Sequence, residues 1–223
     1  MTFLIKVWDL PTRIFHWSLF SCVAGAVLSA QIGGNAMVWH FRLGYAVFTL
    51  LLFRLIWGVI GGHWSRFSTF LFSPAMILDY IKGNRRPEHR IGHNPLGATS
   101  VFALLGVLLI QVASGLISDD EISSSGPLVQ FASTTLVNLA TFYHKDIGKL
   151  ILIGLIVLHT GAIFFYMFVK RENLVNPMIN GNKHSTINAK NSRDDFLARM
   201  LAFAVLLGCT AFVLWILKLT GAA

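Results

Sequence analysis

The sequence predicts an all-α fold: an integral membrane helical bundle of four core helices with a fifth, C-terminal transmembrane helix. Of its 223 residues, 55% are hydrophobic and 13% are charged, and the mean hydropathy is +0.65. A soluble domain carries about 25% charged residues, so that class is excluded. Five apolar runs also reach the roughly 20 residues that a helix needs to cross a bilayer. The predicted spans are residues 14–33, 38–61, 96–117, 147–169 and 196–219.

The first apolar run follows Lys6 and Arg13, as the core of a signal peptide would. However, it is long for such a segment, and His16 lies within it, with Asp9 and Pro11 just ahead. We therefore interpret it as a spanning helix.

Positive charge indicates the orientation of the predicted helices. Thirteen of the 18 basic residues fall before span one, between spans two and three, or between span four and the first turn of span five. The opposite side carries Lys145, Lys149 and Lys218 beside the acidic run Asp119-Asp120-Glu121. The positive-inside rule then predicts a multi-pass protein with a cytoplasmic N-terminus and a C-terminus on the opposite side of the membrane. The thirteen are Lys6, Arg13, Arg66, Lys82, Arg85, Arg86, Arg90, Lys170, Arg171, Lys183, Lys190, Arg193 and Arg199.

The same pattern divides the chain into two parts. Residues 1–183 form a four-span domain that includes an interfacial cytoplasmic segment, 62–95, whose apolar patches are too short to span. Residues 184–223 form a cytoplasmic linker and the fifth transmembrane helix.

Four histidines lie in or beside the spans, and the direction of each helix sorts them into two levels. His40 and His144 fall near the outer face, whereas His16 and His159 fall nearer the cytoplasm. Two histidines from different helices at one depth are what a bis-imidazole haem iron requires. The alternative is that these histidines only form hydrogen bonds between helices.

Helical geometry supports the first interpretation. Fifteen residues place His144 and His159 about 60° apart around an α-helix and about 22 Å apart along it. Fourteen residues place Arg54 about 40° from His40 and about 21 Å along the helix. The Arg54 guanidinium would then lie at the inner level, suited to pairing with haem propionates.

Gly44 and Gly148 each follow an outer histidine by four residues, and so lie on nearly the same helix face. A flat macrocycle would fit against such bare patches of helix. Close helix–helix packing explains these glycines equally well.

Several sequence segments together resemble one known family. The chain is similar to the bacterial cytochrome b561 and nickel-iron hydrogenase cytochrome b group of integral membrane dihaem proteins. The similarity covers residues from about Lys6 to Lys183. The segments that carry it are VWDLPTRIFHW (7–17), RLIWG (54–58), SRFS (65–68), GHNPLG (92–97), SGL (114–116) with Asp119-Asp120, and NLV (173–175) with MING (178–181).

The resemblance implies two non-covalent b-type haems, with axial pairs His16/His159 and His40/His144. It also implies an electron-transfer subunit of an oxidoreductase that links the quinone pool to a redox partner, such as a hydrogenase or a periplasmic cytochrome c. A quinone site at the cytoplasmic rim would involve Asn94, Gly97 and Arg66, although these residues could also be simple loop and capping residues. The fifth span has no counterpart in the shortest, four-span members.

Two other functions remain open from the sequence. One is a stand-alone quinone reductase that uses a small outer oxidant or reductant such as superoxide. The other is a haem-free transporter or assembly factor whose membrane histidines relay protons or bind metal, which would show no Soret band after purification.

Overall fold

The computed structural model describes residues 2–84, 86, 89, 91–120 and 124–221. Arg85, Arg90 and Glu121, which contributed to the charge comparison above, lie outside these residues. Five helices in the described part are long and apolar enough to cross a membrane. The chain is therefore a multi-pass membrane protein, and the predicted all-α membrane class is confirmed. The five helices are Leu10–Ile32, Gly34–Ile60, Pro95–Leu116, Thr134–Phe168 and Phe196–Leu219.

The regular elements follow one another with short connections. A six-residue π-helical segment, Tyr143–Gly148, joins the fifth α-helix to the sixth, and we call it the π segment. The other elements are β1 (Phe3–Lys6), α1 (Leu10–Ile32), α2 (Met37–Ile60), α3 (Pro74–Ile81), α4 (Pro95–Leu116), α5 (Thr134–Phe142), α6 (Lys149–Phe168), α7 (Val175–Asn180), β2 (Asn182–Ser185) and α8 (Phe196–Leu219).

Local sequence explains where the shorter helices begin. The Ser73 hydroxyl accepts a hydrogen bond from the Met76 amide, and Pro74 occupies the first turn of α3, where no amide proton is needed. The Ser133 hydroxyl caps α5 in the same way by accepting from the Leu136 amide. Helix therefore begins at Thr134 rather than at the predicted residue 147, and His144 lies inside the helical stretch rather than at its edge.

The structure also contains a small two-stranded sheet. Strands β1 and β2 pair antiparallel, with Phe3 opposite Ser185 and Lys6 opposite Asn182. Beside this sheet, buried apolar side chains form a cluster of Ile5, Val7, Trp8 and Ile91. The sheet was not predicted, because four-residue strands leave too short a pattern to recognise in a sequence.

Contacts group the chain into two compact units. The first unit comprises Met1–His16, Arg54–Ala103 and Val157–Val205, and the second comprises Trp17–Phe53, Leu104–Ile156 and Leu206–Ala223. Each unit contains one of the predicted histidine pairs. The domain boundary expected at residue 183 stays a prediction.

Candidate functional site

The first unit brings together the predicted inner pair. His16 on α1 and His159 on α6 have ring centroids 6.4 Å apart, with ring planes inclined by 51°. A metal ion held between two imidazoles, with metal–nitrogen bonds of about 2 Å, separates the ring centroids by roughly 6 Å. The observed spacing therefore suits axial ligation of one iron.

The second unit brings together the predicted outer pair. The ring centroids of His40 on α2 and His144 in the π segment are 5.9 Å apart, with ring planes inclined by 84°. No group of three or more His, Cys, Asp or Glu side chains in the described part of the chain could hold a metal ion. A metal at either pair would thus take its remaining ligands from other sources, such as water or the macrocycle of a haem.

Hydrogen bonds define the tautomer of both outer histidines. The Nδ1 atom of His40 lies 2.9 Å from the Ala26 carbonyl oxygen, and that of His144 lies 2.8 Å from the Gln111 carbonyl oxygen. A carbonyl oxygen can only accept, so Nδ1 carries the proton in each ring. The lone pair on Nε2 is then available to a metal, as in other metal-binding histidines.

A cavity of about 560 Å³ lies in the second unit. It is lined by His40, His144 and Gly44. Charged side chains of both signs also line it: Lys145, Lys149, Asp119, Asp120 and Asp146. Ligand and cofactor cavities typically measure about 300–1,000 Å³. The cavity size and the presence of both imidazoles fit a haem-sized group with a charged edge.

The two predicted glycines have different surroundings. A Cβ atom built on Gly44 would meet no atom within 4 Å, which agrees with its place in the cavity wall. Gly148 is not among the residues that line this cavity, and its assignment as a bare patch beside a macrocycle stays a prediction. It is buried against the side chains of Gln111 and Tyr143, which a Cβ would overlap.

Gly115 belongs to the SGL segment that carries the family resemblance, but the sequence assigned it no role. A Cβ there would lie 2.7 Å from Cε1 of His144, so the His144 ring needs this position to be glycine. The sequence pattern Ser114-Gly115 gave no sign of this, because the contact joins two helices.

Arg54 is buried, with 3% of its surface exposed. One guanidinium nitrogen, Nη1, donates to the Ser65 carbonyl oxygen at 2.8 Å. The guanidinium carbon also lies 4.7 Å from the centroid of the Phe67 ring and 5.9 Å from that of Phe15. Its predicted pairing with haem propionates stays a prediction. By contrast, Arg42 is exposed and lies against Trp39, as expected for a side chain that points away from the site.

Asp9 organises the surroundings of Arg54. Its carboxylate is fully buried and accepts hydrogen bonds from both backbone and side-chain donors. These donors are the Thr12 amide at 2.8 Å, the Ser65 hydroxyl at 2.6 Å, the Gly62 amide at 3.2 Å and the Trp57 indole at 3.3 Å. In the sequence, Asp9 was only an unusual charged residue just ahead of the first span, within the segment VWDLPTRIFHW. Its position just before Leu10-Pro11 was the signal for a helix cap.

His93 is a second residue whose environment the sequence did not reveal. Its ring packs between Trp8 and Phe70, with centroid separations of 4.7 and 4.3 Å. Within the described residues, its buried Nδ1 makes no hydrogen bond. Burial lowers the pKa of His93 to about 3, with smaller contributions from Arg54 and His159. The ring is therefore neutral near pH 7.

The three candidate quinone residues have distinct roles in the structure. Asn94 caps α4, because its Oδ1 accepts from the Gly97 amide at 2.8 Å. Its Nδ2 donates to the Tyr166 hydroxyl at 3.0 Å. The third candidate, Arg66, has one guanidinium nitrogen 3.4 Å from Nδ1 of His63. Its buried Nε makes no hydrogen bond within the described residues.

The family model and the similar proteins found by comparison agree on one family. The family model described as prokaryotic cytochrome b561 matches residues 7–181. The probable Ni/Fe-hydrogenase B-type cytochrome subunit of Bradyrhizobium diazoefficiens is 23% identical over 80% of this chain and 85% of its own length. That of Cupriavidus necator is 23% identical over 78% and 85%. The hydrogenase 1 counterpart of Escherichia coli K12 is 24% identical over 51% and 60%. No solved structure matches.

Proposed function

The chain belongs to the prokaryotic cytochrome b561 family, and we propose that it carries electrons across the bacterial cytoplasmic membrane through two b-type haems. Membership makes it a membrane cytochrome b that takes part in electron transfer and binds b-type haem. The number of haems, the partners and the orientation belong to the proposal. We assign the N-terminus to the cytoplasm and the C-terminus to the periplasm, because the basic residues favour that orientation.

The observation that carries the proposal is the presence of two separate imidazole pairs with nearly the same spacing. The ring centroids are 6.4 Å apart for His16 and His159, and 5.9 Å apart for His40 and His144. A membrane carrier with a single haem needs only one such pair. We therefore assign one haem to each compact unit, the inner haem to the first and the outer haem to the second.

Bound b-type haem supplies one-electron redox chemistry at its iron. The protein holds each iron by two imidazoles and adjusts its potential through burial and nearby charge. Arg54 is the buried cation of the first unit, and Lys145 and Lys149 are cations of the outer cavity. We propose that these three side chains pair with propionates, while Gly44 leaves room for the macrocycle.

The partners follow from the relatives and from the residues at the helix ends. The relatives are described as hydrogenase cytochrome subunits, and we propose a hydrogenase-like enzyme or a periplasmic cytochrome c as one partner. We propose the quinone pool as the other. The buried, unpaired Nε of Arg66 is a donor available to a quinone oxygen. Asn94 and Gly97 support this rim as a helix cap.

Spectroscopy of the purified protein tests the dihaem assignment. A reduced-minus-oxidised difference spectrum combined with haem and protein quantitation should give two b-type haems per chain. A value of one, or the absence of a Soret band, would reject the assignment. The second result would favour a haem-free transporter or assembly factor.

Quinol-driven haem reduction in membrane vesicles tests the quinone assignment. The Arg66→Gln variant should retain both haems and reduce them at least about tenfold more slowly, because one charge-assisted hydrogen bond is worth about 1.5–3 kcal/mol. Asn94→Leu should also slow reduction, but it removes a helix cap as well. Unchanged kinetics in Arg66→Gln would contradict a quinone site at this rim.

A further inference from the structure

The π segment is the most irregular part of a membrane-length helix, and His144 lies within it. Its i→i+5 hydrogen bonds place one more residue in each turn than an α-helix does. Such segments are rare and occur frequently at functional sites. No proline accompanies this one, because residues 134–168 contain none. The cause must therefore lie in what the segment contacts.

Gln111 on α4 contacts His144 twice. Its backbone oxygen accepts from Nδ1 of the His144 ring at 2.8 Å, and its side-chain Nε2 donates to the His144 carbonyl oxygen at 2.9 Å. One residue thus holds both the ring and the backbone of His144. The outer partner, His40, has the corresponding ring contact with the Ala26 carbonyl oxygen.

Two glycines make these contacts sterically accessible. Gly148 is buried at the end of the π segment, and a Cβ there would overlap Oε1 of Gln111. Gly115, one helical turn after Gln111 on α4, faces the ring of His144. Each glycine therefore leaves room for a different group. Gly148 leaves room for the side chain of Gln111, and Gly115 leaves room for the imidazole of His144.

We propose that Gln111 is a positioning residue for the outer haem, acting through His144. We call Gln111, Gly115, Gly148 and the π segment the His144 clamp. The clamp fixes the ring plane and the Nδ1–H tautomer of His144, so that Nε2 faces the cavity before haem binds. This role depends on the proposed dihaem function, because it concerns the affinity and ligand geometry of the outer site.

The test uses Gln111→Met, which keeps the side-chain length but has no amide donor. The variant keeps the backbone oxygen that accepts from Nδ1 of His144 and removes only the side-chain hydrogen bond to the His144 carbonyl oxygen. One such bond contributes about two- to tenfold to an equilibrium constant, so we expect the outer haem to transfer to apomyoglobin about two- to tenfold faster than in the wild type. We also expect its low-spin electron paramagnetic resonance signal to shift. The inner haem signal should stay unchanged, and it also reports that the variant is folded.

Gly148→Ala supplies an independent variant of the same clamp. It should reproduce the Gln111→Met result, because the added methyl group displaces the Gln111 amide. The double variant should be no worse than either single variant, since both act through one contact. Gly154→Ala, on α6 with open space around its Cβ, is the matched control and should behave as the wild type.

Different results would overturn the positioning role of Gln111 and the dihaem function. Two haems in the wild type, with an unchanged outer signal and transfer rate in both Gln111→Met and Gly148→Ala, would overturn the positioning role alone. Additive effects in the double variant would also overturn it. Fewer than two haems in the wild type would instead overturn the dihaem function.

Discussion

The two units of the molecule hold their histidine pairs by different means. In the first unit, the pair lies in a part of the chain stabilised by buried polar side chains, of which Asp9, Arg54 and Ser65 are the centre. In the second unit, backbone carbonyls orient the imidazoles, which face a cavity of about 560 Å³. Similar ring spacings therefore occur in a unit that contains a buried polar network and in a unit that contains an open, glycine-lined cavity.

The linker before the fifth helix extends the polar network of the first unit. The Ser192 hydroxyl donates to the Val7 carbonyl oxygen at 2.8 Å, and the Asp194 carboxylate accepts from the Leu10 amide at 3.1 Å. Asp194 also forms ion pairs with Lys6 and Arg199. The difference between the units predicts that substitutions in the polar network of the first unit should reduce folding stability, whereas substitutions around the cavity of the second unit should act on the outer haem.

The largest expected effect on stability is that of Asp9→Ala. It leaves several buried donors without an acceptor, so the free energy of unfolding should fall by about 3 kcal/mol or more. Thermal unfolding in detergent measures this loss. Asp79→Ala, an exposed carboxylate of the same unit, should change stability by less than about 0.5 kcal/mol. Equal losses of stability in Asp9→Ala and Asp79→Ala would contradict the proposed importance of the buried polar network in the first unit.

Arg54→Gln should act on the inner haem. Removing a buried positive charge favours the oxidised form, so the potential of the inner haem should fall by about 60 mV or more, which is about tenfold in the reduction equilibrium. Potentiometric titration of the α-band measures both haems separately. Arg42→Gln removes an exposed cation and should leave the inner potential unchanged. A shift of the outer haem alone in Arg54→Gln would contradict the assignment.

Asp194 should make the stability of the first unit depend on pH. Burial opposes its ionisation, but hydrogen bonds from Arg199, the Leu10 amide and Lys6 outweigh burial and hold the pKa of Asp194 below its ordinary value. A depressed folded-state pKa contributes stability above the unfolded pKa of about 3.9, and this is lost as the pH falls through the folded value. The unfolding midpoint should therefore drop below about pH 4. Asp194→Asn should reduce this slope, and an unchanged slope would argue against the network.

The smallest effect is expected from Lys149→Ala. Lys149 lines the cavity but is partly exposed, so solvent screens its charge. The outer potential should fall by about 20 mV or less, corresponding to about 0.5 kcal/mol. A fall as large as that expected for Arg54→Gln would show that the outer cavity is as well shielded from solvent as the first unit.

Hydropathy was enough to predict the five long helices, whereas the sorting of the histidines into two levels stays a prediction. The separation of 15 residues between His144 and His159, however, assumed a continuous α-helix. The π segment contacts Gln111 of another helix through His144 and Gly148, and these contacts form only when the helices pack. The long-range hydrogen bonds of Asp9 could not be predicted either, because its donors at positions 57, 62 and 65 are distant in the sequence. Residues that act through long-range contacts leave no periodic pattern.

The central claim is that His16 pairs with His159, and His40 with His144. Haem quantitation of double alanine variants tests it most directly. The within-pair variants, His16→Ala with His159→Ala and His40→Ala with His144→Ala, should each retain about one haem per chain. The cross-pair variant, His16→Ala with His144→Ala, should retain none with bis-histidine ligation. One intact bis-histidine haem in the cross-pair variant would contradict the pairing.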